Sequence, residues 1–534
     1  MPDVDSLRAQ LKDRGYLTHG IERWFALDPW SSRAFWVELT LVALKAATLI
    51  AAFAALPMTA VMLFRDAPLS TYETLALFVT YAAAWLVVAF ALVVLVALVL
   101  KLRPALPIDT PRALLAISLA AAALLVLLVA FWWSGFDTAP STAELVAGAA
   151  LIAIFLVVAT IVVSAALLSF SIYELQRVPA IHQKPRTVPM AAAAAVLIAL
   201  LFVPAYAERE RDPVEPMVVT TPTSRRVALI AVDGLTYELV QSRPELWRAL
   251  TVTPVRGVGG DSTTERWASL GTGVPTDAHG VRAIEGVRFR GGRHILQRVS
   301  RADVVLMEAA PALKLARREP LPPTVRRREY VWEIVAGRGV PSVAVNWWTT
   351  ADERKGALTS IGPESIFASA RGDALRLDAL ATSRFLGAID RAKPRLATVY
   401  LPALDVILNR IEIDRTAQLA QSIRAIEGVA ALIAAVRARG YDVVLAGLPG
   451  DRQLGSPVIA STLPLQRAQS AWDVSPTLLD LLGFPLSQEM PGRSLAGTTA
   501  EPRIASYGNR ATSRSAQSVN EEYYDNLKSL GYIQ

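Results

Sequence analysis

The stretch RVALIAVDGLTYELV (226–240) runs six apolar residues straight into Asp233-Gly234 and then takes up a helical pattern. An apolar run this short, closed by a turn signal, reads as a strand buried on both faces, the form strands take in a parallel sheet covered by helices. Similar runs recur downstream in PSVAVNWW (341–348), RLATVYL (395–401), YDVVLAG (441–447) and SPVIAS (456–461). Amphipathic stretches such as TAQLAQSIRAIEGVAALIAAVRARG (416–440) separate them. Strands alternating with helices predict an α/β/α sandwich around a mostly parallel sheet over 225–534. In such folds chemistry collects beyond the carboxyl ends of strands, which is where Asp233 falls.

Upstream the composition changes. The whole chain is 53% hydrophobic with mean hydropathy +0.36, too apolar for an ordinary soluble enzyme. The excess sits in five apolar runs, at about 39–64, 74–100, 113–133, 145–170 and 188–207, each long enough to cross a hydrocarbon core. Residues 39–207 therefore read as a transmembrane domain of five helical spans, preceded by an N-terminal segment (1–38). A linker rich in charge, Pro and Thr follows it (208–224).

Basic residues in short loops mark the cytoplasmic side. Arg8, Lys12, Arg14, Arg23 and Arg33 precede the first run; Lys101, Arg103 and Arg112 follow the second; Arg177, Lys184 and Arg186 follow the fourth. The alternate connections hold only Arg65 and, in SGFDTAPSTAE, no basic residue. The expected topology has the N-terminus in the cytoplasm and everything after Ala207 extracytoplasmic. The second to fifth runs contain no Asp, Glu, Lys, Arg or His, and Lys45 in the first can snorkel to the headgroups, so the domain reads as an anchor rather than a transporter. Ala205-Tyr206-Ala207 satisfies an A-x-A cleavage pattern, although four preceding spans make a stop or anchor the plainer reading. The absence of cysteine excludes disulfides, thiolate metal sites and thiol redox chemistry. The net charge of +7 partly reflects the basic loops and does not indicate a nucleic-acid partner.

Thirty residues beyond Asp233 lies TTERWASLGTGVPTDAHGV (263–281), a hydroxyl-rich turn leading into a helix start and a Gly-Thr-Gly break. Hydroxyls there can cap the helix, or they can aim an oxygen at a place where helix amides favour an anion. With VALIAVDG, this segment resembles the opening of the alkaline phosphatase superfamily, in the branch of type I phosphodiesterases, nucleotide pyrophosphatases and sulfatase-like proteins. The resemblance continues through VWEIVAGRGVPSVAVNWWTTAD (331–352), VYLPALDVILNR (399–410), AWDVSPTLLDLLGFPLSQEMPGRSL (471–495) and EEYYDNLKSLGYI (521–533).

The resemblance implies a Ser or Thr nucleophile beside two metal ions, commonly zinc, held by Asp and His. By position it places a metal ligand at Asp233, the nucleophile at Thr263 and a further ligand at Asp405. Other positions depart from the pattern. Asn409 stands where the Asp-x-x-x-His element requires His, Leu448 and Pro449 stand where Asp-His-Gly is expected, and Asp451 lies where a last His should follow. His279 matches a structural His-Gly of the family. Asp233, Thr263, Asp405 and Asp451, with Asn409, could together hold at most one hard divalent cation such as Mg²⁺ or Ca²⁺ through oxygen. The expectation is a degenerate site used for binding, assembly or weak chemistry.

Between these segments an Arg-rich interval (about 282–328) ends in Arg326, Arg327 and Arg328. In superfamily members this interval often forms an insertion over the active site. Here it is either a solvated face or an anion-binding cap for a phospholipid headgroup or an envelope glycan. Three functions remain open: a membrane-tethered ester hydrolase or phosphoryl-group transferase, a pseudoenzyme that binds such a ligand, and a structural membrane protein.

Overall fold

The computed structural model of the chain describes residues 35–65, 69–102, 111–136, 142–175, 223–497 apart from 301 and 452, 503–510 and 521–533, together with Asp13. The fifth apolar run (188–207), the Ala205–Ala207 pattern, nearly all of the N-terminal segment and linker, and most of the loop basic residues lie outside the described residues. The chain divides into two compact units. One comprises Met1–Arg209 with Val287–Arg317, the other Glu210–Gly286 with Arg318–Gln534.

Among the described residues of the first unit, four helices are long and apolar enough to cross a membrane: α1 (Phe35–Arg65), α2 (Thr71–Leu102), α3 (Pro111–Ser134) and α4 (Thr142–Leu175). They form a bundle in which α1 packs on α2 and α4, and α3 on α4. Small side chains let α1 approach its neighbours, because Ala43, Ala46, Ala47, Ala54 and Ala55 are all buried. Ser70 and Glu73 open α2 as a capping pair: Ser70 N–H and Oγ donate to Glu73 Oε2 at 2.9 and 2.8 Å, and Glu73 N–H donates back to Ser70 Oγ. A fifth helix of sufficient length and apolarity, α8 (Arg415–Ala438), belongs to the other unit. It carries Arg415, Arg424, Glu427 and Arg437, and buries one face on neighbouring elements of the sandwich.

The second unit is built on strands β1 (Val227–Asp233), β2 (Thr251–Pro254), β5 (Ser342–Val345), β6 (Glu353–Lys355), β7 (Leu358–Ile361), β8 (Leu396–Leu401), β9 (Asp442–Leu448) and β10 (Val458–Ser461). Their order across the sheet is β2-β10-β9-β1-β8-β5-β7-β6. Pairings from β9 through β7 are parallel, while the pairings of β10 with β9 and β2 at one side, and of β6 with β7 at the other, are antiparallel. Every residue of β1 is buried, as the opening apolar run requires. Register sets Val227 opposite Leu396 and Asp442 on its two neighbours, so Asp233 ends the central strand beside Leu448. The helices α5 (Thr263–Thr272), α6 (Val331–Gly337), α7 (Ala374–Ala392), α8 and α9 (Val474–Leu481) complete an α/β/α sandwich. The chain leaves this unit along β3 (Glu285–Phe289) and returns along β4 (Ala316–Pro320), which pair with each other.

Candidate functional site

Asp233 is carried to the carboxyl edge of the sheet by β1 and is fully buried. Gly234 then turns the chain with φ +82°, and a Cβ there would stand 2.6 Å from the backbone nitrogen of Asp405. This close approach brings the start of the 403–410 segment over β1. Asp233 Oδ2 accepts a hydrogen bond from Tyr400 Oη at 2.8 Å, while Oδ1 has no partner. Burial, and then the negative charge of Asp405, push the Asp233 carboxyl up to about 7, against the opposing pull of Arg410, Arg266 and the Tyr400 hydrogen bond. Asp378, whose Oδ1 accepts from Ala403 N–H at 3.1 Å, is raised to about 8 by burial, with a further contribution from Asp233.

The hydroxyl-rich turn divides its tasks between neighbouring residues. Ser262 is the N-cap of α5, accepting from Glu265 N–H at 3.1 Å. Thr263, the first helical residue, is thereby left to point its hydroxyl into the site, where it donates to Asp451 Oδ1 at 3.1 Å. His279 is buried behind α5. Burial and the charges of Arg326, Arg282 and Arg327 depress its pKa to about 3, so the ring is neutral. Its Nδ1 accepts from Val281 N–H at 3.1 Å, which leaves the proton on Nε2 to donate to Ser269 Oγ at 2.9 Å. His279 thus fastens the 276–281 turn to α5.

Two arginines occupy the middle of the site. Arg410 donates through Nε to Asp405 Oδ2 at 2.5 Å, and through Nη2 to Thr263 Oγ1 at 2.8 Å and Asp451 Oδ2 at 2.9 Å. Arg266, one helical turn after Thr263, donates through Nη2 to Asp451 Oδ1 at 2.6 Å and to Thr263 Oγ1 at 3.3 Å. The ring of Tyr532 lies under the Arg410 guanidinium at 4.1 Å. Asn409 donates to the other oxygen of Asp405 at 2.8 Å, and Gln453 ties the floor by donating to Gly234 O and accepting from Gly450 N–H, both at 2.9 Å. Only glycine fits at 450, since a Cβ would overlap Asp405 and Asn409.

Residues 406–410 form a π-helical turn directly after Asp405. Its i→i+5 geometry brings Arg410, as well as Asn409 at i+4, onto the face of Asp405. Sequence reasoning therefore placed Asp233, Thr263, Asp405, Asn409 and Asp451 in one region, and the structure brings all five together. It missed Arg266, Arg410, Tyr400, Gln453 and Tyr532. The i, i+3 spacing of Arg266 from Thr263 was a usable signal; the π turn was not.

The donor set does not fit the two zinc ions that the family resemblance implies. Both oxygens of Asp405 and both of Asp451 accept from guanidinium or amide N–H groups, and these hydrogens point where cations would sit. Leu448 is buried beside Asp233 with no donor to offer. Among the described residues no group of three or more His, Asp and Glu side chains is placed to hold a metal ion.

Of the three arginines expected to bind an anion, Arg326 and Arg328 are engaged in ion pairs. Arg326 is fully buried, pairs with Glu333 through both Nη atoms at 2.7 Å, and lies 3.8 Å over the Tyr330 ring. Arg328 pairs with Glu489 at 2.6 Å and donates to Asn509, while Arg327 takes part in main-chain hydrogen bonds with His279 and Arg510. Arg326 accordingly stabilises the turn before α6 and presents no surface to a ligand.

The buried Thr263, Asp233 and Asp405 thus meet Arg266 and Arg410 beyond the carboxyl end of the central strand of a mostly parallel sheet. Residues 227–447 match the family model for Type I phosphodiesterase / nucleotide pyrophosphatase. Solved structures similar to the chain include a putative sulfatase from Bacteroides thetaiotaomicron, at 12% identity over 53% of this chain and 76% of that one, with TM-score 0.34. Another is murine ectonucleotide pyrophosphatase / phosphodiesterase 5 in complex with AMP, at 10% identity over 51% and 97%, with TM-score 0.35. A third is phosphonoacetate hydrolase from Sinorhizobium meliloti 1021, at 11% identity over 42% and 56%, with TM-score 0.30. Comparison with curated protein sequences gives no match.

Proposed function

We propose that this chain is a membrane-anchored, extracytoplasmic pseudoenzyme of the phosphodiesterase and sulfatase-like class, whose degenerate site binds, or acts only weakly on, an anionic envelope phospholipid or glycan. The observation that carries the reading is the Arg410 guanidinium, which joins Asp405, Asp451 and Thr263 in the place where the chemistry of the family requires cations. Two arginines against Asp405 and Asp451 balance the site's charge internally, so the carboxylates have no need of metal. Asp451 is the adaptable member: its side chain is 31% exposed. An incoming phosphate or sulfate group can exchange with it on Arg266 and Arg410 at the N-terminus of α5, a geometry suited to anions.

The same asymmetry of the loops supports an extracytoplasmic orientation. Residues 287–317, which interrupt the α/β unit, bond to Tyr72, Glu73 and Trp132. Those residues flank the first and third connections, the two poor in basic residues.

The test uses the full chain in lipid nanodiscs. Metal analysis should find far less than two equivalents of zinc. Turnover of generic phosphodiester and sulfate-ester substrates should stay barely above background, with Thr263→Ala changing little. Two bound ions together with hydrolysis abolished by Thr263→Ala would overturn the reading in favour of an active hydrolase, for which the unpartnered Oδ1 of Asp233 is the best argument.

A further inference from the structure

The segment 287–317 interrupts the α/β unit yet packs with the membrane helices. Its Val287, Phe289, Leu296, Val299, Leu306, Ala310 and Ala316 lie in one apolar cluster with residues of α1 to α4. Polar anchors fix its depth. Tyr72, the second residue of α2, donates to Arg290 O at 2.6 Å. Glu73 Oε1 accepts from the backbone N–H groups of Arg293 and His294 at 2.6 and 2.7 Å, and its Oε2 lies 2.6 Å from His294 Nδ1. Ser300 donates to Trp132 O near the end of α3, and Tyr81 donates to Asp303 Oδ2 at 2.5 Å. Tyr81 is nine residues beyond Tyr72, so its Cα is about 13 Å further along the helix axis. Between residues 290 and 303, therefore, the segment descends along α2 toward hydrocarbon depth.

At the bottom of that descent the chain forms a short helical stretch, Val305–Ala312. Asp303, Leu306 and Ala310 face the bundle and are buried. Three apolar side chains here are not covered by the bundle: Val304 is 60% exposed, Leu313 70% and Leu315 47%. The stretch packs on α2, which also presents apolar side chains: Leu75 and Val79 are exposed on a helix long and apolar enough to cross a membrane. Lys314 and Arg317 are exposed next to the leucines, and Arg290 and Arg293 higher up beside Tyr72. Glu308, on the same side one turn after Val304, is also exposed and marks a polar level within the stretch. Apolar side chains with flanking Lys, Arg and Tyr are the composition of an element that lies in a membrane interface.

We infer that residues 303–317 form an interfacial membrane wedge, with Val304, Leu313 and Leu315 inserted among the acyl chains of the leaflet that surrounds the Tyr72 end of α2, and with Lys314 and Arg317 at its phosphates. The occupant of the exposed apolar face is lipid. The wedge lies between two stretches of the α/β unit in the sequence but belongs to the helical unit, to which it adds a bilayer contact separate from the preceding spans. This inference holds whichever way the catalytic question is settled, because none of its residues belongs to the Thr263 site.

The absence of cysteine makes the test direct, since each single-cysteine variant carries one label. Val304→Cys, Leu313→Cys and Leu315→Cys are spin-labelled in the full chain, reconstituted in nanodiscs of phosphatidylcholine and phosphatidylglycerol. Collision rates are then measured with oxygen, which concentrates in acyl chains, and with a water-soluble nickel chelate. Val79→Cys on α2 gives the lipid reference. Leu454→Cys, at a position 97% exposed in the α/β unit, gives the aqueous one. All three wedge positions should show oxygen-to-nickel ratios several-fold above Leu454→Cys and approaching Val79→Cys. Ratios equal to Leu454→Cys would overturn the inference. So would exclusion of both reagents, which would mean that protein, such as a second copy of the chain, covers the face.

Discussion

Replacing Arg410 by alanine tests whether a guanidinium has taken over the role of a metal. Asp405 is wholly buried and the Arg410 side chain is 8% exposed, so the substitution strands a carboxylate that has no route to water. Removing one partner of such a pair costs about 3–5 kcal/mol. At about 2–4 °C per kcal/mol for a domain of a few hundred residues, the apparent Tm should fall by roughly 6–20 °C. Loss of the guanidinium from the Tyr532 face acts in the same direction. The distinctive consequence is a gain: with Arg410 gone, Asp405 and Asp451 face a vacated space near the unpartnered Oδ1 of Asp233, an oxygen donor set suited to a hard cation. Thermal unfolding of the full chain in nanodiscs, followed by near-UV circular dichroism, should show Arg410→Ala recovering several degrees in millimolar Mn²⁺. The wild type should show no such shift, and chelation should reverse the recovery. A ligand at about one hundred times its Kd supplies about 2.7 kcal/mol, enough for a measurable shift. Arg410→Lys should fall between, keeping the charge and losing the fork. Equal Mn²⁺ stabilisation of wild type and Arg410→Ala, or an unchanged Tm in the variant, would refute the exchange of guanidinium for metal.

Asp233 predicts a pH dependence. Its carboxyl is raised on folding, so the folded state holds the proton more tightly than the unfolded chain. The resulting penalty is absent below the unfolded value near 3.9, grows through the interval up to about 7, and is constant above it. Stability should therefore fall between pH 5 and pH 7, and Asp233→Asn should flatten that slope; an identical profile in the variant would assign the effect to other groups, Asp378 first among them. Glu333→Ala strands Arg326, which has no exposed side-chain surface, and should cost about 3–5 kcal/mol whatever the ionic strength; a loss under about 1 kcal/mol would contradict the buried-pair reading.

How far the sequence discloses this fold depends on burial. The strands β1, β5, β8, β9 and β10 are buried along nearly their whole length, and the apolar runs that encode them stand out. β6 reads ERK with every residue exposed, and β2 is the half-exposed TVTP, so neither carries a hydrophobic pattern. The interval 282–328 misleads for a related reason. Its arginines dominate the composition, yet its placement is decided by apolar residues interleaved with them, and by backbone N–H groups that meet Glu73. Main-chain donors leave no trace in residue type. Arg326 reads as part of a basic surface cluster and is buried, because its neutralising partner Glu333 is seven residues away and comes within reach only when the turn before α6 folds.

The site itself follows from one constraint on buried carboxylates. A chain that buries Asp233 at the end of the central strand and Asp405 in the helical turn after β8, with no imidazole among the neighbouring Asn409, Leu448 and Pro449, must neutralise that acidity or lose stability. Three routes are present together. Arg410 supplies a positive charge to Asp405, the raised carboxyl of Asp233 keeps its proton near neutrality, and Asn409 donates N–H where an imidazole nitrogen would have offered a lone pair. The last of these excludes a cation from that oxygen in the present arrangement, since Asp405 Oδ1 already accepts a hydrogen. Asn409→His alone is thus expected to leave zinc affinity low while Arg410 remains, and joint replacement of Asn409 by His and Arg410 by Ala is the smallest change that reopens Asp405 as a ligand. Zinc binding by Asn409→His alone, comparable to that of the double variant, would show that the guanidinium is a spectator.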